Sequence, residues 1–179
     1  ILKKDKGHVG ANLLKGRLYL LRKDYAGALA SFDLVTRERP RDAQAYYFKA
    51  LCHLGKDDPR LAEPDLHKAL ELDPHFMNAR LLLAELYLRE GNPDPAGPHI
   101  SQALSEEPDN WRARMLQGNL NLLNRDVEGA ESAFKKVIDL KPDHAPAYVR
   151  LGLLYRFTKR RAAAIQALEK ALDLDPKQA

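Results

Sequence analysis

One cysteine, Cys52, stands in 179 residues, so no intrachain disulfide can staple the fold and cysteine usage says nothing about redox compartment. There is a single tryptophan, Trp111, and no apolar run approaches the roughly 18 residues of a membrane-spanning helix. A glycine-rich phosphate loop is missing, since Gly7 and Gly10 are isolated and Gly118 and Gly152 fall at packing positions. The six histidines, His8, His53, His67, His75, His99 and His144, include none of the close pairs that metal ligation requires, so neither a metal nor another cofactor is expected. Charge of one sign is not in large excess: 29 Lys and Arg against 25 Asp and Glu leave a net +4. At 45% hydrophobic and 30% charged residues, the chain is too apolar for disorder and too charged for a membrane protein.

What is present is a period. Prolines stand at Pro40, Pro74, Pro108, Pro142 and Pro176, each 34 residues from the last, and alanines keep the same step at Ala28, Ala62, Ala96, Ala130 and Ala164. Placing the alanine at the twentieth position divides the chain into repeats 9–42, 43–76, 77–110, 111–144 and 145–178, with no insertion or deletion. The eighth position is always small (Gly16, Ala50, Ala84, Gly118, Gly152) and the twenty-fourth bulky (Phe32, Leu66, Ile100, Phe134, Leu168). The eleventh is Tyr19, His53, Tyr87, Asn121 and Tyr155. Net charge per repeat runs +3, −2, −4, +1 and +4, basic at the ends and acidic between, whereas a nucleic-acid interface calls for one continuous basic stripe.

This pattern of small, aromatic, Ala, bulky and Pro at a 34-residue period resembles the tetratricopeptide family over residues 9–178. The family's fourth-position tryptophan is absent, and Asn12, Tyr46, Arg80, Arg114 and Tyr148 stand in its place. The resemblance implies an all-α fold, an α-solenoid in which antiparallel helix pairs stack into a right-handed superhelix. Local chemistry points to two helices per repeat independently of the family. Asp24, Asp58, Asn92 and Asp126 recur at the sixteenth position, where a side-chain oxygen caps a second helix, and Asp42 and Asn110 are placed to cap first helices. The thirty-second-position prolines end the second helices. Pro64 and Pro98 fall inside second helices, predicting a late start or a kink there. Residues 1–8 read as the tail of a preceding repeat, because Ile1 and Leu2 take the places of pairs such as Ala69 and Leu70. A longer parent array is therefore expected, with no targeting segment visible in this stretch.

The resemblance also implies a function. Family members bind proteins or peptides on the concave surface lined by first helices, at the second, fifth, ninth, twelfth and thirteenth positions. Carried onto this chain, the partner-binding candidates are Leu13, Arg17, Leu20, Tyr47, Leu51, Leu54, Leu81, Glu85, Leu88, Arg112, Met115, Asn119, Leu122, Val149 and Arg156. Their apolar majority suits an amphipathic helix or an extended segment with spaced anchors. Packing within the stack explains leucines at helical spacing as well, and that reading stays open. The chaperone-tail clamp of the family is missing, since no fifth position holds lysine and Asn119 is partnered by Met115. Cys52 falls on a packed helix face, and His53, adjacent to it in sequence, points about 100° away around the helix and is not placed to activate it. The cluster Lys159, Arg160 and Arg161 lies at a helix-helix turn, where a solvated turn is the simplest reading.

The expectation is a non-catalytic interaction scaffold with a protein or peptide partner and no small-molecule substrate. The alternative is a structural spacer of a larger protein, an enzyme or an envelope or secretion assembly factor, or an array that self-associates through uncapped ends.

Overall fold

A computed structural model describes residues 8–175. Among the described residues there are ten helices and no strand: α1 (Val9–Leu21), α2 (Tyr25–Glu38), α3 (Ala43–Gly55), α4 (Pro59–Leu72), α5 (Met77–Arg89), α6 (Pro93–Glu106), α7 (Trp111–Leu123), α8 (Val127–Leu140), α9 (Ala145–Phe157) and α10 (Arg161–Leu174). Odd-numbered helices have 13 residues and even-numbered ones 14. The chain forms two compact units, Ile1–Leu86 and Tyr87–Ala179, with the division falling inside α5.

The turn within each repeat is the same device five times. Position fifteen is left-handed, at Lys23 (φ 59°), Asp57 (59°), Gly91 (73°), Arg125 (62°) and Lys159 (61°). Position sixteen then donates its N–H back to the carbonyl at position eleven, as in Asp24 to Tyr19 (2.9 Å), Asp58 to His53 (2.9 Å) and Asp126 to Asn121 (2.8 Å). These are Schellman closures, and they satisfy carbonyls the first helix leaves open. The residue that closes one helix also opens the next. Asp24, Asp58 and Asp126 accept from the third residue of the following helix at 3.0, 3.4 and 2.9 Å. Asn92 and Arg160 hold the same position without a side-chain cap bond. Asp42 and Asn110 cap α3 and α7, and His8, not anticipated as a cap, accepts from Ala11 through Nδ1 at 3.2 Å.

Packing within a repeat turns on positions eight and twenty-four. A Cβ built on Gly16 would stand 2.5 Å from Phe32 Cε1, on Gly118 2.3 Å from Phe134 Cε1, and on Gly152 2.6 Å from Leu168 Cγ. Glycine is required there because the facing side chain already occupies the space. In the first unit Phe32 packs with Ala28 and Cys52, and in the second Phe134 packs with Ala130, Leu151, Leu154 and Ala167. Between repeats, the fourth-position substitutes for tryptophan act as donors. Arg80 reaches the Pro74 carbonyl, Arg114 Nε the Pro108 carbonyl at 3.1 Å, and Tyr148 Oη the Pro142 carbonyl at 3.1 Å.

Of the late start or kink expected for α4 and α6, the late start does not occur: both begin at position seventeen in register with the other second helices, with Pro59 and Pro93 as their first residues. Pro64 and Pro98 are each the sixth residue of an uninterrupted helix. Both are exposed, so the carbonyl released one turn back lies on the solvent side. The reading of residues 1–8 as an earlier helix tail lies outside the described residues except at His8, which is extended. Pro176 also lies outside them.

Two stability tests follow from this geometry. Gly118→Ala should lower thermal stability by about 1–2 kcal/mol, the clash outweighing the helix-propensity gain. Adding Phe134→Leu, which recreates the Ala50 and Leu66 combination of the second repeat, should recover much of that loss. At position fifteen, Arg125→Gly should raise stability by about 1 kcal/mol and Gly91→Ala should lower it by a similar amount. Equal melting temperatures for Arg125→Gly and wild type would count against backbone strain at that turn.

Candidate functional site

First-helix positions five, nine and twelve lie on one side of each helix, because steps of three, four and seven residues return to the same face. In the first unit, Leu13 and Leu20 are half-buried and pack against the Phe32 cluster. Tyr47 is half-buried between Phe48 (5.5 Å between ring centroids) and Phe76 (5.1 Å), and Phe48 stacks in turn on Phe32 at 5.2 Å. Arg17 is exposed, with its guanidinium 5.7 Å from the Phe48 ring centre. Leu51 and Leu54 are half-buried, and Glu85 is exposed. Leu81 departs from its neighbours. It is 1% exposed, so its role is packing, and it is not open to a partner.

In the second unit, Met115 and Leu122 are half-buried against the Phe134 cluster, to which α9 contributes Leu151 and Leu154. Leu88, Arg112, Asn119 and Val149 are half-buried and Arg156 is exposed. Exposed apolar side chains sit beside these residues. Leu123 is 44% exposed, Leu153 39% and Phe157 78%. In the first unit Leu21, at the same position as Leu123 and Phe157, reaches 83%. None of the four was among the candidates, although the signal was present: thirteenth and ninth positions belong to the family's lining set.

Two groups of charged side chains tie helices together. In the first unit Lys49 on α3 bridges Asp33 of α2 (3.0 Å) and Asp65 of α4 (3.9 Å), and His53 Nε2 lies 3.5 Å from Asp65. Burial pulls the Lys49 pKa down, but the Asp33 hydrogen bond and the Asp65 charge outweigh it and leave a net rise. Burial raises Asp65 above the usual carboxylate range, with Lys49 and His53 opposing. Cys52, fully buried nearby, is pushed up to about 12 by burial and the two aspartates, so it remains a thiol and packs as a small apolar group.

In the second unit Glu131 of α8 accepts from Arg160 Nη2 (2.6 Å), Lys135 Nζ (2.8 Å) and Tyr155 Oη (3.1 Å), and the Arg160 guanidinium lies 4.3 Å over the Tyr155 ring. The basic cluster is thus partly committed: Arg160 joins two repeats. These donors, Arg160 foremost, hold Glu131 at about 2, below its ordinary 4.5. The remaining histidines are spread apart, with His67 near Glu63 (3.7 Å), His99 stacked on Tyr87 (6.2 Å) and His144 edge-on to Trp111 (4.6 Å).

A carboxylate whose folded pKa is depressed contributes stability that is complete above its unfolded value and fades as pH falls towards the folded one. Glu131→Gln should therefore lower the melting temperature at neutral pH, and the gap from wild type should close between pH 4.5 and about 2. A gap that stays constant across that window would show that the ion cluster does not stabilise the contact.

Comparison with known proteins identifies the fold and the family. Tetratricopeptide repeat profiles match residues 53–120, residues 112–144 and 145–178, and residues 1–43 and 13–58. No curated protein matches significantly. Among solved structures, MamA from Desulfovibrio magneticus RS-1 is similar with a TM-score of 0.82 at 20% identity, covering 95% of this chain and 96% of that one. YrrB, described as a TPR protein with an unusual peptide-binding site, has a TM-score of 0.75 at 23% identity over 98% of this chain and 90% of its own. PilF of Pseudomonas aeruginosa has a TM-score of 0.83 at 18% identity, covering 92% of this chain and 75% of that one. The repeat period, the ten helices and the matches along residues 1–178 lead to one conclusion: the chain belongs to the tetratricopeptide repeat family, an all-α solenoid class.

Proposed function

We propose that this chain is a non-catalytic scaffold that binds an amphipathic helix or extended segment of a partner protein on its first-helix apolar stripes, foremost on α7 and α9. The observation that carries this reading is the exposure of Leu123, Leu153 and Phe157 beside half-buried Met115, Leu122 and Val149. A fold already supplied with a closed core has no packing reason to keep a leucine and a phenylalanine one turn apart in water on α9, and contiguous exposed apolar surface marks interaction sites. Asn119 and Arg112 add polar groups that fix the register of a bound segment, as specificity in helix-in-groove recognition requires. In the first unit Leu21 and Tyr47 offer the same kind of surface on α1 and α3. The peptide-binding description of YrrB supports the class of ligand.

A displayed library of peptides with spaced hydrophobic anchors tests the reading. Peptides selected on the wild-type chain should bind Leu153→Ser/Phe157→Ser at least about tenfold more weakly. Helical circular dichroism and melting temperature should be essentially unchanged, because both side chains are exposed. Selected peptides that bind the variant as tightly as wild type, or a library that yields no binder, would overturn the assignment.

A further inference from the structure

Position eleven is a tyrosine in three repeats, Tyr19, Tyr87 and Tyr155, but in the fourth it is Asn121. Where the tyrosine is present, its ring fills the space beside the second helix. Tyr19 Cδ2 lies 3.2 Å from where a Cβ on Gly27 would stand, and Tyr155 sits under Arg160 with its hydroxyl on Glu131. Gly129 is the fourth-repeat counterpart of Gly27, and Asn121 Nδ2 lies 2.6 Å from its built Cβ. Asparagine, shorter than tyrosine, brings its amide to the same wall. Beside it, between α7 and α8, lies an open cavity of about 400 Å³.

The chemistry of the lining is specific. Arg114 and Lys136 supply two cations, Gln117, Asn121 and Ser132 supply neutral hydrogen-bonding groups, and no carboxylate is among the lining residues. Ala133 supplies an apolar part of the wall, while the face of Gly129 carries the Asn121 amide and one edge of the Asp126 carboxylate. Arg114 is oriented by two bonds of its own, Nε to the Pro108 carbonyl (3.1 Å) and Nη1 to Gln117 Oε1 (3.0 Å). Lys136 pairs with Asp109 at 3.1 Å, but both side chains are exposed, and such a pair exchanges readily for another anion. On α7, Arg114, Gln117 and Asn121 lie roughly 130° around the helix from Met115, Asn119 and Leu122, so this site does not share the peptide-binding stripe.

We propose that this cavity binds a small aromatic carboxylate, its ring in the place tyrosine holds in other repeats and its carboxylate between Arg114 and Lys136. The size and open mouth suit a ligand of about a dozen heavy atoms, for which a roughly millimolar dissociation constant is the ordinary range.

The experiment is a titration of the full chain with 4-hydroxyphenylacetate, followed by amide chemical shifts and calorimetry, with acetate and phenol as separate probes. Saturable binding that shifts α7 and α8 amides is expected, with each half-probe at least about tenfold weaker. Asn121→Tyr, which rebuilds the missing ring from within, should abolish binding and raise the melting temperature. Lys136→Gln, at an exposed position, should weaken binding about threefold without unfolding the chain. Absent saturation, unchanged affinity in either variant, or acetate binding as tightly as the full probe would each overturn the proposal.

Discussion

Two helices of 13 and 14 residues can share one short repeat only if their backbones approach closely, and that approach rests on positions eight and twenty-four. Phe32 and Phe134 each lie against a glycine of the partner helix, at a distance no Cβ could tolerate. A ring seated directly on backbone excludes water from both helices at once and fixes their mutual rotation. The rotation in turn decides which residues point inward to the Phe32 and Phe134 clusters and which face outward. The turn serves the same end. By closing the first helix with a left-handed residue and opening the second with the very next side chain, it leaves no slack in which the helices could drift apart.

Much of this was legible in the residues because a repeat writes each constraint five times. The 34-residue step of proline and alanine marked the helix starts at 9, 43, 77, 111 and 145. The capping role of position sixteen was readable where it is aspartate. It was misread at Asn92, whose side chain makes no cap bond, since propensity names a residue able to cap and geometry decides whether it does. The left-handed residue at position fifteen escaped notice because only Gly91 advertises it; Lys23, Asp57, Arg125 and Lys159 are held there by the closures on either side. The expected late starts of α4 and α6 failed because a proline near a helix start costs one bond that solvent can replace.

The candidate surface was harder to read. Periodicity assigns a face but not a depth, and along the same first-helix face Leu81 is sealed while Phe157 stands 78% exposed. The difference depends on what the neighbouring elements cover, which is information about the assembled chain. Charge was similarly opaque. Arg160 looks like one member of a basic cluster in sequence, yet it closes on Glu131, 29 residues earlier, and on the Tyr155 ring.

By itself, then, the sequence determined the repeat, its length, the helical pairing and the residue types at each packing position, because these follow from local propensities and a period that any single helix pair must obey. Tertiary structure alone decided which apolar side chains stay open, which charges are engaged in contacts between repeats, and that a cavity opens beside Asn121 between α7 and α8. Each of those outcomes depends on atoms brought together from different helices, and no pattern along one helix contains that information.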